Sequence, residues 1–408
     1  MRGADSDTAG RTEVVTLYDV ARLAGVSTAT VSRVVHGQDR VRDVTRTRVL
    51  QAIEELGYVP DGAAQSLSRG RKDVIGLVCK EREVDYALEN AGLLYYDQVL
   101  RGVEEPLRYH NWSLLITFMQ ADETGEPHVP RLDAFSGKVD GILIGEGFVA
   151  SHHIKRLAAR VPVVVIAGTP GERTVDVVAA DNFSGSAAII THLIADHGKR
   201  RLFHVDGPLD APDAIERRLG LHYVLRDNPQ CQIIGSAHGI FSVRSGEQAG
   251  ADLLARHRGA LPDAVVCAND QMAIGVLRAF AAAGVRVPDE VAVVGFDDIY
   301  PASLIDPPLT SVQQPIRMLG QQACARLLDR IATPDLTPTV QLLPTELVLR
   351  SSCGCPPGTE TRKPVTSLTP ARVHAGADGA AGPRLRQPAQ ARQISAGPRR
   401  AARAPRTP

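Results

Sequence analysis

The sequence predicts an α/β protein with parallel sheets covered by helices on both faces, preceded by a small all-α headpiece. Short runs rich in Val and Ile alternate with longer helical segments from Val74 to Ser352, the pattern of sheets buried on both sides. A dense helical pattern, small enough for one mini-domain, occupies Thr16–Tyr58. From Gly354 the composition turns to Pro, Ala, Gly and Arg without periodicity, which predicts a disordered tail over residues 353–408. At 408 residues the chain exceeds one core, so two or three domains are expected.

Bulk composition excludes several classes. With 44% hydrophobic and 23% charged residues and zero net charge, the chain reads as globular, with no global attraction to polyanions. Met1–Val15 is a polar leader (1–15, expected disordered) without the apolar run of a secretory signal. No stretch approaches the ~20 apolar residues of a spanning helix, so a cytoplasmic protein is expected. The six cysteines lack a Cys-x-x-Cys pair and read as reduced thiols. Cys353-Gly-Cys355 could be a redox pair or half a metal site, but no companion His/Cys cluster is evident in the sequence. No metal or cofactor is expected.

In the headpiece, Thr16 can cap a first helix, with Asp19 in its first turn where a carboxylate suits the dipole. Leu17, Val20, Ala21, Leu23 and Ala24 form an apolar stripe. Gly25 supplies a sharp turn, Val26 packs inward, and Ser27 caps a second helix through Val35 with Val31, Val34 and Val35 facing inward. Two short helices joined by a glycine turn are a helix-turn-helix, whose second helix enters the major groove. Thr28 and Ala29 suit thymine methyls or hydroxyl contacts, Arg33 suits a bidentate contact to guanine, and Thr30 and Ser32 suit phosphates. A plain helical bundle with solvated hydroxyls is the other reading. A third helix has Val49, Ile53 and Leu56 on its inner face. Between Thr16 and Lys72, nine Arg/Lys stand against six Asp/Glu, a local basic excess.

"TLYDVARLAGVSTATVSRVVHG", "TRTRVLQAIEELGYVP", "AAQSLSRGR" and "VIGLV", followed by "DGILIG", "CANDQMAIGVLRAF", "VPDEVAVVGFDD" and "PPLTSVQQP", resemble the lactose-repressor (LacI/GalR) family of bacterial regulators. The likeness spans Thr16 to Ser352. It implies a helix-turn-helix domain (16–60), a hinge (61–73) and a two-lobed, periplasmic-binding-protein-like effector and dimerisation domain (74–352). The implied protein is a homodimeric transcription regulator, most often a repressor, which binds double-stranded operator DNA under control of a small molecule, a carbohydrate in the first instance. The resemblance places the hinge in Asp61–Arg69, with Leu67 as the residue wedged into the minor groove, a use of apolar side chains that bends the duplex. His36 stands where relatives often carry Asn, and Arg42 where they often carry a Ser cap; either can reach a phosphate. By the same resemblance the lobes are Val74–Asp176 with about 313–337, and Val177–Val312 with about 338–352. Arg217, Asn269 and Asp297 match effector-contacting positions, and Tyr96 and Phe241 match stacking positions from opposite lobes. Core packing for the aromatics, and a salt bridge for Arg217 and Asp297, are the competing roles. Ala167 and Gly168 depart from the family by replacing an Asp that accepts ligand hydroxyls.

An α/β enzyme is the rival class. Gly145-x-Gly147-x-x-Ala150 follows a strand, but the next strand ends in Ala167-Gly168, without the acid that a dinucleotide ribose requires. No P-loop, nucleophile elbow or His-Glu-x-x-His helix occurs. His152 and His153 are adjacent and expected to point apart as a solvated pair. A binding protein that has lost its DNA function is a third reading, disfavoured by Arg33 and the hinge. From Thr361 onward ten Arg/Lys face one acid, Asp378, which allows the tail to act as a non-specific phosphate arm.

Overall fold

The structure is a computed structural model that describes residues 15–35, 41–59, 70–80, 90–119, 129–145, 149–168, 174–257, 259–358 and 360–368. His36, Leu67, the hinge over 61–69, Gly147, the leader before Val15 and the tail beyond 368 lie outside these residues.

Three helices make the headpiece: α1 (Leu17–Ala24), α2 (Thr28–Val35) and α3 (Asp43–Leu56). The Asp19 carboxylate accepts from the Thr16 N–H at 3.0 Å and its hydroxyl at 2.6 Å, holding the start of α1. Gly25 ends α1 at φ 62°, a left-handed conformation that costs glycine little. Ser27 Oγ then accepts from the Thr30 N–H at 3.2 Å, capping α2. Val20, Val31 and Val49 are wholly buried against one another's helices, with Ala21, Ala24, Val34 and Ala52 around them and Leu17, Val26, Val35, Ile53 and Leu56 at the margin. Leu23 departs from expectation. The buried stripe centres on Val20, Ala21 and Ala24, which leaves Leu23 beyond its edge and 46% exposed.

The first lobe is a six-stranded sheet in the order β11-β5-β4-β3-β1-β2, with every pairing parallel. Its strands are β1 (Val74–Lys80), β2 (Ser113–Met119), β3 (Gly141–Gly145), β4 (Val163–Ile166), β5 (Asp176–Ala180) and β11 (Val340–Leu343). The helices α4 (Asn90–His110), α5 (Val129–Ser136), α6 (Ser151–Ala158) and α11 (Ile316–Ala332) belong to this lobe. Separate apolar clusters cover its two faces, one around Ile75, Leu143 and Leu319, the other around Ile142, Ile144 and Leu157.

The second lobe is a four-stranded parallel sheet, β7-β6-β8-β9. Here β6 is Arg201–Asp206, β7 Gln232–His238, β8 Ala264–Cys267 and β9 Ala292–Val294. Its helices are α7 (Asn182–Ala195), α8 (Pro212–Arg226), α9 (Val243–His257) and α10 (Asp270–Ala282). An antiparallel triple, β10 (Ser311–Gln313), β12 (Glu346–Leu349) and β13 (Thr361–Pro364), completes it.

Three sequence expectations are corrected. The lobe boundaries move, because Asp176 pairs with Val164 and Val340 with Val177; β5 and β11 therefore lie in the first sheet, and the chain crosses at Asp181, Gln314 and Thr345 instead. Asp176 carries that junction: wholly buried, it accepts from Arg326 at 2.8 Å, Arg330 at 2.5 Å and the Thr339 N–H at 2.8 Å. Secondly, order does not stop at Ser352. Ser351–Cys353 form a 3-10 turn, and Thr361–Pro364 add a strand to β12, with Arg362 donating to Gln313 at 2.7 Å. All four residues of β13 are exposed, and three of them are polar, so no alternation marked the strand; the free edge of β12 recruits its backbone. Thirdly, the His152 and His153 rings do not point apart but lie 3.8 Å from each other.

Candidate functional site

The outer side of the headpiece is where a duplex can be met. Val31 and Val34 turn inward, which leaves Arg33 exposed on α2 together with Ala29, while Ser27 is exposed at its start. Thr28, Thr30 and Ser32 are half-buried, and the Thr30 hydroxyl already shares a 2.9 Å hydrogen bond with Ser27. Thr16 is likewise tied to Asp19. These three groups therefore have local duties in the free protein, whereas Arg33 is held by helix geometry alone. Sequence reasoning missed Tyr18, which is 76% exposed on α1; an outward aromatic between inward Leu17 and Val20 was the available signal.

The second candidate lies where β6, β8 and β9 end. In the order β7-β6-β8-β9, the order in which strands are added reverses between β6 and β8, and ligands of such sheets bind beyond the carboxyl ends at that switch point. Arg217, on α8, reaches it buried: Nη1 donates to the Ala268 carbonyl at 2.5 Å, Nε to Asn182 Oδ1 at 2.9 Å, and Nη2 stands 3.2 Å from Asp297 and 3.8 Å from Asp213. The guanidinium also lies over the Phe296 ring, 3.9 Å from its centre. Asn269 caps α10 through the Met272 N–H at 3.0 Å and donates to the Phe241 carbonyl at 3.3 Å. Asp297, at φ 111°, accepts from Gln314 Nε2 at 2.6 Å. Left-handed backbone is costly for a non-glycine residue, and here it turns the carboxylate into the cluster. Gln314 is 5% exposed, and its Oε1 accepts nothing among the described residues. Unmet buried acceptors cost energy, so this oxygen is a natural receiver for a ligand hydroxyl.

The structure thus brings Arg217, Asn269 and Asp297 together, and adds Asn182, Asp213 and Gln314. The last three escaped sequence reasoning because spacing along the chain does not show which distant segments meet at this point. Phe241 is half-buried at φ 61° and packs where a Cβ on Gly207 would stand, 2.5 Å from its ring. Tyr96 has other neighbours. Its hydroxyl donates to the Lys80 carbonyl at 3.3 Å and its ring meets Tyr95 and Phe118 edge-on; these contacts do not reach the second-lobe cluster. Ala167 ends β4 buried, with φ 56°, and offers no side-chain acceptor.

Most thiols are core groups. Burial raises Cys324 to about 12 and Cys267 further, so neither is a nucleophile at neutral pH.

Residues 16–61 match the model of the bacterial regulatory proteins of the lacI family, and residues 190–353 match a periplasmic binding protein-like domain. The transcriptional regulator CelR of Thermobifida fusca is 35% identical over 347 residues, covering 83% of this chain and 98% of that protein. The chain belongs to the LacI family. The lactose operon repressor of Escherichia coli K12, another member, is 31% identical over 351 residues, 86% of this chain and 93% of its own. Among solved LacI-family structures, a lac repressor dimer bound to operator and the anti-inducer ONPF superposes with a TM-score of 0.73 at 30% identity, covering 84% of this chain and 99% of that one. A CelR–cellobiose complex gives 0.60 at 32% identity, covering 83% and 99%. This chain is a helix-turn-helix transcription regulator with a periplasmic-binding-protein-like sensor, and the family is one of regulators, not enzymes.

Proposed function

We propose that the protein is a homodimeric repressor that reads a pseudo-palindromic operator and is released or recruited by a carbohydrate bound between its lobes. The observation that carries the effector side is the buried cluster of Arg217, Asp297, Asn269, Asn182 and Gln314 at the switch point, with one amide oxygen unmet. Such a set offers both donors and acceptors to a polyol, beside the apolar faces of Phe241 and Phe296. Exposed Arg33 supports the DNA side. Ser27, Thr28, Ala29, Thr30, Ser32, Thr16 and His36 complete the proposed reading surface, with Leu67 as the minor-groove wedge. The edge strand β2 supports a dimer, because Ile116 and Phe118 stand 39% and 44% exposed on an unpaired edge, which isolated proteins usually avoid. Related regulators carry names and structures with lactose, cellobiose and ribose, which supports a sugar and a cytoplasmic workplace.

The test is a selection of genomic fragments by the full-length protein, followed by anisotropy titration of the recovered operator with and without a panel including cellobiose, lactose and ribose. Tight, salt-dependent binding to a palindromic fragment, changed by one sugar, is expected. Binding to none of the fragments would dismiss the regulator's operator role; operator binding untouched by every sugar would dismiss the carbohydrate.

A further inference from the structure

The end of α7 and the turn after β12 bring together four groups of the kind that bind zinc. His192 and His197 come from α7 and the turn that follows it; Cys353 and Cys355 come from Ser351–Cys353 and the residues just beyond. Their ligand atoms all lie within 4.8 Å of one another. His192 Nε2 stands 3.4 Å from Cys353 Sγ and 3.7 Å from Cys355 Sγ. His197 Nε2 stands 3.5 Å from Cys355 Sγ and 3.1 Å from His192 Nε2.

Those separations can be compared with a coordination sphere. Bonds of about 2.3 Å to sulfur and about 2.0–2.1 Å to nitrogen at tetrahedral angles put sulfur and nitrogen about 3.6 Å apart and two nitrogens about 3.3 Å apart. The observed nitrogen–sulfur separations of 3.4–3.7 Å bracket the first value, and the nitrogen–nitrogen separation of 3.1 Å lies just under the second. The four ligand atoms therefore already lie close to the spacing that one tetrahedral ion requires, all within 4.8 Å of one another.

Three further features belong to such a site. His192 Nδ1 lies 2.7 Å from the Asp196 carboxylate, an outer contact that fixes the tautomer and leaves Nε2 to ligate. Gly354 separates the cysteines at φ 111°, and a Cβ there would stand 3.2 Å from the His197 ring; the Cys-Gly-Cys turn passes over the imidazole only because the side chain is missing. The Thr310 hydroxyl lies 3.2 Å from Cys353 Sγ and 2.8 Å from the Arg350 carbonyl, so the sulfur sits beside a polar group that a bound thiolate can use. Cys353 and His192 are buried, whereas Cys355 and His197 are half-buried, which gives an ion a way in.

We propose that His192, His197, Cys353 and Cys355 bind one zinc ion in a closed, structural Cys2His2 site. Four protein ligands leave no open position, so the ion is a clamp and not a Lewis acid. It joins α7 to the segment between β12 and β13, and so holds β13 on the second lobe. The site is separate from the effector cluster, and the proposal does not depend on the effector's identity.

The experiment uses the full chain purified under argon with a thiol reductant. Elemental analysis is expected to find about one zinc per chain. Cobalt substitution is expected to give thiolate-to-cobalt charge-transfer absorption with tetrahedral d–d bands. Cys355→Ser and His197→Asn alter the half-buried ligands, and each is expected to retain under about a tenth of an equivalent; Cys231→Ser, at a cysteine outside the cluster, keeps the full complement. Chelation is expected to lower the melting temperature of the parent chain but not of Cys355→Ser. Should the ligand variants fail to fold, the cobalt spectrum of the parent chain decides. A reduced parent chain that takes up no zinc, cobalt bound without a thiolate band, a Cys353–Cys355 disulfide that survives reduction, or full zinc in Cys355→Ser would each overturn the site.

Discussion

Arg33 stands in solvent while Val31 and Val34, on either side of it in sequence, are buried in the headpiece core. Replacing it with alanine therefore touches DNA contact and not folding. If it reads a guanine, Arg33→Ala weakens operator binding by ~1–3 kcal/mol per half-site, roughly 5- to 150-fold, and relaxes the preference at one base pair; a titration at fixed salt against single-base operator variants checks both. His204 makes a different prediction. It is buried in β6, and burial lowers its pKa to about 4, with the nearby Asp206 opposing the shift. A folded value below the unfolded 6.5 means that the neutral ring is the stabilising form. Its contribution is complete above about pH 6.5 and is lost as pH falls toward about 4, on the order of 3 kcal/mol in all. Urea unfolding across that window should lose its pH dependence in part in His204→Gln.

At the scale of elements, close helix contacts and one open sheet edge matter most. Helices α4 and α11 approach until a Cβ on Gly320 would lie 2.3 Å from the Val99 carbonyl, and one on Gly102 2.0 Å from that of Arg317. These two helices are thereby fixed to one another; β2 stands at the far edge of the sheet with no further strand beside it among the described residues, and Ile116 and Phe118 are 39% and 44% exposed. An exposed apolar edge invites a second copy. Phe118→Lys is expected to turn the dimer into monomers in sedimentation velocity while circular dichroism is unchanged, because Phe118 is 44% exposed and its replacement forfeits an edge-on contact with Tyr96 and not a core position. A monomer reads only one half-site, so the same variant should lose most operator affinity. Unaltered sedimentation would move the dimer interface elsewhere.

For the molecule as a whole, the three crossings at Asp181, Gln314 and Thr345 make the lobes one mechanical unit. The Asp181 N–H donates to the Leu343 carbonyl at 2.8 Å, and Gln314 holds Asp297. One crossing residue is thus also a member of the effector cluster, which gives a ligand a handle on the relation between lobes. Linkage then requires that effector and operator alter each other's affinity by the same factor. Measuring sugar binding to free and operator-bound protein should return the ratio found when the operator is titrated with and without sugar. Arg217→Lys keeps the charge but loses the guanidinium fork on Asn182, Ala268 and Asp297. It should bind the sugar at least roughly tenfold more weakly and retain operator affinity in its absence. An unchanged response in that variant would remove Arg217 from the effector site.

Local chemistry was legible without coordinates wherever neighbours in the chain decide it. The caps at Thr16 and Ser27, the turn at Gly25, the inward valines of α2 and the outward Arg33 all follow from helical spacing, as does the alternation of strands and helices after Val74. Arg217, Asn269 and Asp297 were named by resemblance, and folding brought them into contact. What sequence spacing could not contain is pairing between distant segments. Asp176–Ala180 is too short and mixed to announce a strand, and joins the first sheet because β4 offers it an edge. Thr361–Pro364 has no apolar residue but proline, and is a strand only because β12 is beside it. Asn182, Asp213 and Gln314, like the two histidines facing Cys353 and Cys355, stand up to 163 positions from the groups they meet. Periodicity records which side of its own element a residue faces; only the assembled sheets decide what stands opposite.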